Sequence, residues 1–307
     1  MSPPAPALLS VFGELVVAPG ADEAALIPLV RDAVGLVVRG GSRVTARVID
    51  AAPSLRVIGR SGVGYDEIDV AAATRRRIPV VITPEAGAQA VAEGAMAMLL
   101  PLAKRLPLLD RAVRDGRWRV RDDVEINDLE GATLGIVGLG RIGRRVAALA
   151  RAFGMRILAF DPYVESAGDV ELVDVRTLFA ESDFVSLHAP LTSETRGLVD
   201  GQLLDHARDG LVLVNLSRGG LVRSLDDLLA ALESGHLGGV GLDVFDPEPP
   251  DVSHPLFRHP CVLLAPHALG MTRRSRERIF GEMAEGMAAV LRGGRAPALA
   301  NPEIYGP

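Results

Sequence analysis

Short, mostly apolar runs of strand length recur along this chain, and segments of helical length separate them. The clearest runs are residues 36–38, 56–58, 80–82, 133–137, 156–160, 184–187, 211–216, 240–244 and 261–264. A strand covered on one face alternates apolar and polar residues. These runs do not, so both of their faces need cover, which is the condition of a parallel sheet between helix layers. The segments between them supply that cover. In residues 142–153, Ala, Leu and Val fall on one side and Arg144, Arg145 and Arg151 on the other, and Gly154 follows where a left-handed cap is wanted. Strand alternating with helix predicts an α/β fold.

The alternation comes in two blocks. A helical stretch over 88–114, with breaks expected at Pro101 and Pro107, separates the runs before Thr83 from those after Thr133. A second long helix is predicted over 272–292. This arrangement predicts two doubly wound parallel-sheet domains with a cleft between them. Residues 1–87 and 273–307 form the smaller, discontinuous domain, and 88–272 form the larger. With 307 residues, 48% of them hydrophobic, the chain has apolar material enough for both cores. Residues 8–13 read as a first helix, and no strand-length apolar run stands before it.

Composition narrows the function. The formal charge of −6 argues against a nucleic-acid surface, which needs clustered Lys and Arg. The runs Arg75-Arg76-Arg77 and Arg273-Arg274 are short and read as solvated helix faces. One cysteine, Cys261, sits in an apolar run and reads as a structural thiol in a reducing compartment. The N-terminus lacks the pattern of a secretory leader, and no apolar stretch is long enough for a membrane helix. These features predict a cytoplasmic protein that engages neither nucleic acid nor membrane.

The run 133–137 leads directly into Gly138-Leu139-Gly140-Arg141-Ile142-Gly143 and then a helix. Glycine is common here (33 of 307 residues), so the spacing alone says little; the strand before it and the helix after it make it a dinucleotide-binding turn. Gly138 permits the tight turn, Gly140 admits a pyrophosphate, and Gly143 lets the helix approach the sheet. The amides of Arg141 and Ile142 open the helix, whose N-terminus favours an anion. The next strand ends in Asp161, a carboxylate suited to ribose hydroxyls and repelled by a 2′-phosphate. NAD is the cofactor this predicts.

Three polar residues stand where buried strands end. Arg218 follows 211–216, Glu248 follows 240–244, and His267 follows 261–264. Open α/β sheets present ligands at such ends. Interconverting a ketone and an alcohol needs a proton carrier, the work of histidine, and a carboxylate beside it would orient the ring. A guanidinium grips a carboxylate and polarises a carbonyl.

With these residues in place, the chain from about Arg39 onward resembles the D-isomer-specific 2-hydroxyacid dehydrogenase family. The segments that carry the resemblance are Gly59-Arg60-Ser61-Gly62-Val63-Gly64-Tyr65-Asp66, Ile68-Asp69, residues 134–143, His188-Ala189-Pro190-Leu191-Thr192, residues 215–220, residues 243–249 and Pro266-His267. The resemblance implies a Rossmann-type NAD domain over 88–272 and a smaller flavodoxin-like substrate domain. It implies Arg218, Glu248 and His267 as the catalytic set, with His267 the acid/base. It further implies that Gly62-Val63-Gly64, beside Ser61, hold the substrate carboxylate. Asp243 would contact the nicotinamide amide, with His188, Pro190 and Thr192 along the adenine side. The glycine-rich segment at 59–64 is most similar to the phosphoglycerate dehydrogenase branch in its short form, where Arg60 would meet a phosphate or distal carboxylate. A homodimer through the 88–114 helices is expected.

Two positions are unusual for the family. Gly87 stands where an Asn is common, and Leu269 follows His267 closely and would narrow the substrate pocket. Hydroxypyruvate, glyoxylate and a bulkier 2-keto acid therefore stand beside phosphohydroxypyruvate as substrates. An NAD-sensing interaction protein of corepressor type and a formate-like oxidation are the readings of other classes. The first lacks disordered tails and basic patches here, and the second has no use for a histidine–glutamate pair.

Overall fold

The structure is a computed structural model and describes Met1 and residues 3–306. The chain divides into two compact units, one made of Met1–Gly87 with Met271–Pro307 and the other of Ala88–Gly270.

The first unit holds a three-stranded sheet of β1 (Gly35–Val38), β2 (Val57–Arg60) and β3 (Val80–Val81), parallel and in that order. The long helix Arg273–Leu291 covers one face, packing Phe280, Met283, Ala284 and Met287 on Val57 and Val81. It lies close because β2 carries Gly59; a Cβ there would come within 2.2 Å of Met287 Sδ. The other face is filled by Leu26, Val30, Val48, Ile49, Ala72 and Ala73 from three short helices, two of them capped by Asp22 and Asp69 side chains. Among the described residues no strand precedes β1, and the first helix spans Ala5–Ser10, three residues earlier than the 8–13 expected. The exposed run Leu15, Val16 and Val17 and the residues of β1 together line a largely apolar cavity of about 780 Å³.

The second unit is a seven-stranded sheet. It comprises β4 (Thr133–Val137), β5 (Arg156–Phe160), β6 (Glu171–Leu172), β7 (Phe184–Leu187), β8 (Leu211–Asn215), β9 (Leu237–Leu242) and β10 (Val262–Leu264), in the order β10-β9-β8-β7-β4-β5-β6. Every neighbouring pair is parallel. The chain builds outward from β4 to β6, then crosses to β7 on the other side of β4 and builds outward again. That reversal opens a crevice between the C-terminal ends of β4 and β7, where such sheets bind ligands. All residues of β4 and β8 are buried, so each face has its own core. One is built around Leu99, Leu134, Ile136 and Val146, the other around Leu178, Phe179, Leu213 and Leu228. Each such leucine contributes about 1.5–3 kcal/mol by leaving water.

Several boundaries differ from the sequence expectation. Pro101 does not break the helix Ala88–Ala103; the break falls at Arg105, which is left-handed with φ 48°. Pro107 then stands in the first turn of Leu106–Arg114, where its missing N–H costs little. β9 begins three residues earlier than its apolar run, because Gly238 and Gly239 conceal it. Gly238 is required there, since a Cβ would lie 2.4 Å from Gly210 O. The two-residue edge strand β6 opens on an exposed Glu171, which interrupts the apolar residues around Leu172 and leaves no continuous run to read. No helix among the described residues is long and apolar enough to cross a membrane.

Candidate active site

The glycine turn occupies the end of β4. Gly138 has φ +93°, and a Cβ on it would lie 2.6 Å from Ala189 N, so the turn presses against the chain leaving β7. Gly143 lies in the first turn of the helix Arg141–Ala152, and a Cβ there would come within 2.2 Å of Gly138 O. Gly140 differs. It precedes the helix and gives no side-chain cap, and nothing lies within 4 Å of where its Cβ would be. Gly138 and Gly143 thus serve the fold, while Gly140 keeps open the space over a helix N-terminus whose first amides have no acceptor within the helix. Arg141 and Ile142 begin that helix.

Asp161 lies just past β5. One carboxylate oxygen accepts from Leu139 N–H at 2.8 Å and the other from Tyr163 N–H at 3.0 Å. The same carboxylate therefore ties the glycine turn to the end of β5. His188 closes the opposite wall at the end of β7. Its Nε2 lies 2.8 Å from Ser186 Oγ, and its Nδ1 is buried with no hydrogen-bond partner in the protein. Burial pushes its pKa down to about 4. Pro190 is exposed on the segment that follows. Thr192 is spent locally, its hydroxyl accepting from Glu194 N–H at 3.2 Å to shape a turn. An open space above a helix N-terminus, a carboxylate at the next strand end and an orphaned imidazole nitrogen beside them fit NAD.

The second cluster follows β8, β9 and β10. Asn215, fully buried at the end of β8, donates to Arg218 O at 2.8 Å and accepts from Ser217 N–H at 3.0 Å, curling the chain so that Arg218 emerges half-buried. Gly219 lets this loop meet the next, for a Cβ there would lie 2.0 Å from Phe245 C. Glu248 Oε1 accepts from Phe245 N–H at 3.1 Å, and His267 Nδ1 lies 2.9 Å from Glu248 Oε2. Burial would push the Glu248 carboxyl up. The hydrogen bonds from His267 and Phe245, with the charges of His267 and Arg218, outweigh this and hold it below its ordinary value. The His267 and Glu248 side chains remain 48% and 40% exposed, open to a ligand.

Asp243, implied as a nicotinamide contact, is 3% exposed. It accepts from Ala268 N–H at 2.8 Å and from Leu269 N–H at 3.2 Å. Burial, with the nearby Glu248 charge, raises its pKa against the pull of these amides and of His267. Leu269 does not behave as expected. Its side chain packs into the core beside Leu216 and Gly94 instead of standing free to narrow a pocket. Asn215, Gly219 and Gly94 carry no role in the sequence reading. A lone Asn closing an apolar run was the one available signal.

In the first unit, Arg60 closes β2 and is buried, its Nη1 donating to Ser61 O at 2.9 Å and its Nη2 lying 3.7 Å from Glu67. Ser61 donates through Oγ to Val38 O at 3.2 Å. Gly62, at φ +136°, spends its N–H on Arg60 O at 2.9 Å, so the expected three-amide grip is reduced to Val63 and Gly64. Val63 is 43% exposed. The chain then leaves this loop toward the helix Val70–Arg75, which Asp69 caps.

Known proteins give this geometry its relatives. Residues 96–268 match the model of the D-isomer specific 2-hydroxyacid dehydrogenase, NAD binding domain. The glyoxylate reductase of Korarchaeum cryptofilum is 41% identical over 286 residues, 91% of this chain and 86% of that protein. The D-3-phosphoglycerate dehydrogenase of Mycobacterium bovis is 38% identical over 304 residues, 97% of this chain but 57% of that protein. The chain thus spans little more than half the length of the curated phosphoglycerate dehydrogenases it matches. Among solved structures, the D-lactate dehydrogenase of Aquifex aeolicus, complexed with NAD and lactic acid, superposes with a TM-score of 0.80. It is 29% identical, over 87% of this chain and 85% of that one. A Thermus thermophilus protein reaches 0.86 at 38% identity, over 94% and 91%. The chain belongs to the D-isomer-specific 2-hydroxyacid dehydrogenase family.

Proposed function

We propose that the chain is an NAD-dependent D-2-hydroxyacid dehydrogenase that interconverts a 2-keto acid and its D-2-hydroxy acid. One observation carries this reading: the 2.9 Å pairing of His267 Nδ1 with Glu248, set on the same sheet edge as the glycine turn. A carboxylate only accepts, so Nδ1 carries the hydrogen of that bond, and Nε2 is the nitrogen that exchanges a proton with the substrate oxygen. Bound NAD(H) supplies or takes the hydride. The amides of Arg141, Ile142 and Gly143, on the turn that Gly138 permits and with Gly140 clearing their approach, hold its pyrophosphate, and Asp161 holds a ribose. His188, Pro190 and Thr192 border the adenine, and Asp243 stays beside the nicotinamide.

Arg218 binds the substrate carboxylate and polarises the carbonyl. In the smaller unit, the Val63 and Gly64 amides are the groups suited to a carboxylate. Arg60, Ser61 and Gly62 shape their loop, and the Arg60 charge behind it favours an anion. The first substrate pair we propose is 3-phosphoglycerate and phosphohydroxypyruvate, as in the phosphoglycerate dehydrogenase relatives. Glyoxylate or hydroxypyruvate stands next, as in the relative matched over 86% of its length. The larger unit serves as the NAD domain and the smaller as the substrate domain.

The protein works in the cytoplasm as a homodimer. The exposed apolar residues Leu106, Val113, Trp118 and Ile126, on one stretch of the larger unit, support a covered face there. NADH oxidation against 2-keto acids of graded size and charge tests the whole reading. Turnover of a small anionic keto acid, with NADH over NADPH, is the expected result, and no turnover of any would overturn it.

A further inference from the structure

His267 has φ +53°, a conformation that side chains other than glycine adopt at a cost, so its surroundings must hold it. Two contacts within the larger unit do so. Asp243 accepts the amides of Ala268 and Leu269 at 2.8 and 3.2 Å. Beside this clamp, Leu269 seats on the helix Ala88–Ala103 at Gly94: a Cβ on Gly94 would lie 2.8 Å from Leu269 Cβ and 3.0 Å from Leu216 Cδ2. The same segment meets the helix again one turn earlier, where a Cβ on Gly270 would lie 2.8 Å from Val91 Cγ2.

Glycine is a poor helix former, and residue 94 is mid-helix with no positive φ to require it. The notch it leaves is accounted for by the leucine that fills it. Leu269 is two residues from His267, and the Asp243 clamp ties the peptides between them. A displacement at Leu269 therefore passes into the imidazole and not into a slack loop.

We propose that Leu269, seated in the notch at Gly94, is a positioning residue that fixes the His267 imidazole against Glu248. Its effect on turnover rests on the dehydrogenase reading above, and its effect on the imidazole rests on the packing alone. The test uses Gly94→Ala, which puts a methyl against Leu269 Cβ; Leu269→Ala, which removes the rest of the leucine side chain but keeps that Cβ; and Gly94→Ala with Leu269→Gly, in which the Cβ that the new methyl would meet is gone. Imidazole NMR signals of His267, assigned by their loss in His267→Ala, are read beside kcat and the NADH Kd.

Gly94→Ala should shift those signals and lower kcat by roughly ten- to a hundredfold with NADH affinity retained. Leu269→Gly introduced into Gly94→Ala should restore both, and Gly94→Ala placed in the His267→Ala background should bring no further loss. The higher helix preference of alanine favours folding of Gly94→Ala; should it still not fold, Leu269→Ala alone is expected to shift the signals. Imidazole signals unchanged in both single variants, or an equal loss from Gly94→Ala with and without His267, would overturn the proposal. Were the wild type to turn over no keto acid, the dehydrogenase reading would fall, while the imidazole signals would still decide the positioning role.

Discussion

His267 Nδ1 and Glu248 Oε2 lie 2.9 Å apart on loops that follow the neighbouring strands β10 and β9. The carboxylate selects the tautomer of the ring and fixes its plane, and the imidazole in return keeps the carboxylate ionised.

Removing either member should therefore cost turnover more than binding. His267→Ala is expected to lower kcat by about 10²–10⁴-fold and Glu248→Gln by about 10–10²-fold, with NADH affinity nearly intact. Because Glu248 is held below its ordinary value, it stays ionised until the solution is more acid than a free glutamate would need. The acid limb that Glu248 imposes on kcat should lie below the ordinary glutamate range and vanish in Glu248→Gln. Steady-state kinetics across pH with a separate NADH titration reads both effects.

The glycine turn separates fold from ligand. Gly143→Ala drives a methyl against Gly138 O, so its thermal transition should fall sharply. Gly140→Ala meets open space and should melt with the wild type, yet lose NADH affinity by at least tenfold. Calorimetry of both variants beside NADH titrations distinguishes the two glycines; intact NADH binding in Gly140→Ala would remove the pyrophosphate from this site.

The proposed choice of NAD over NADP is tested at Asp161. Asp161→Ser should narrow the preference for NADH over NADPH by an order of magnitude or more, because the repulsion of a 2′-phosphate is gone. The same change loses the bond to Leu139 N–H, at a cost of about 1 kcal/mol in unfolding free energy. Equal efficiency of the wild type with both nucleotides would contradict the assignment.

His188 makes stability depend on pH. Its imidazole titrates near 4 when folded, against an ordinary value of 6.5, so the unfolded chain takes up a proton first as pH falls. The associated stability is present above about 6.5 and is lost as the solution approaches pH 4, by up to roughly 3 kcal/mol. Denaturant titrations of the cofactor-free protein at several pH values should show this slope. His188→Gln should flatten it.

Much of this was readable in the amino-acid order. β4, β7 and β8 announce themselves because both of their faces are buried, and Arg218, Glu248 and His267 because polar residues at the ends of apolar runs are conspicuous. Close approach is what the order conceals. Gly219, Gly94 and Gly238 look like any of the chain's 33 glycines until the atom that excludes a side chain is seen. Leu269 was misread for the same reason, since its partner is an absence 175 positions away in the chain (269 − 94). Gly62 was read as a ligand amide although its N–H is spent on Arg60 O, a bond that the order of residues does not announce.

The strand order also sets a sequence of events. The glycine turn is closed by β4, a helix and β5, consecutive in the chain and neighbours in the sheet. The proposed pair Glu248 and His267 likewise follows β9 and β10, consecutive in the chain and neighbours in the sheet. What joins the two halves is the pairing of β4 with β7, Leu134 with Phe184, which spans more of the chain than either. Pairings across longer stretches of chain cost more to close. A chain refolding from denaturant should thus build the glycine turn and the acid/base pair separately, and recovery of turnover would mark the docking of β7 on β4.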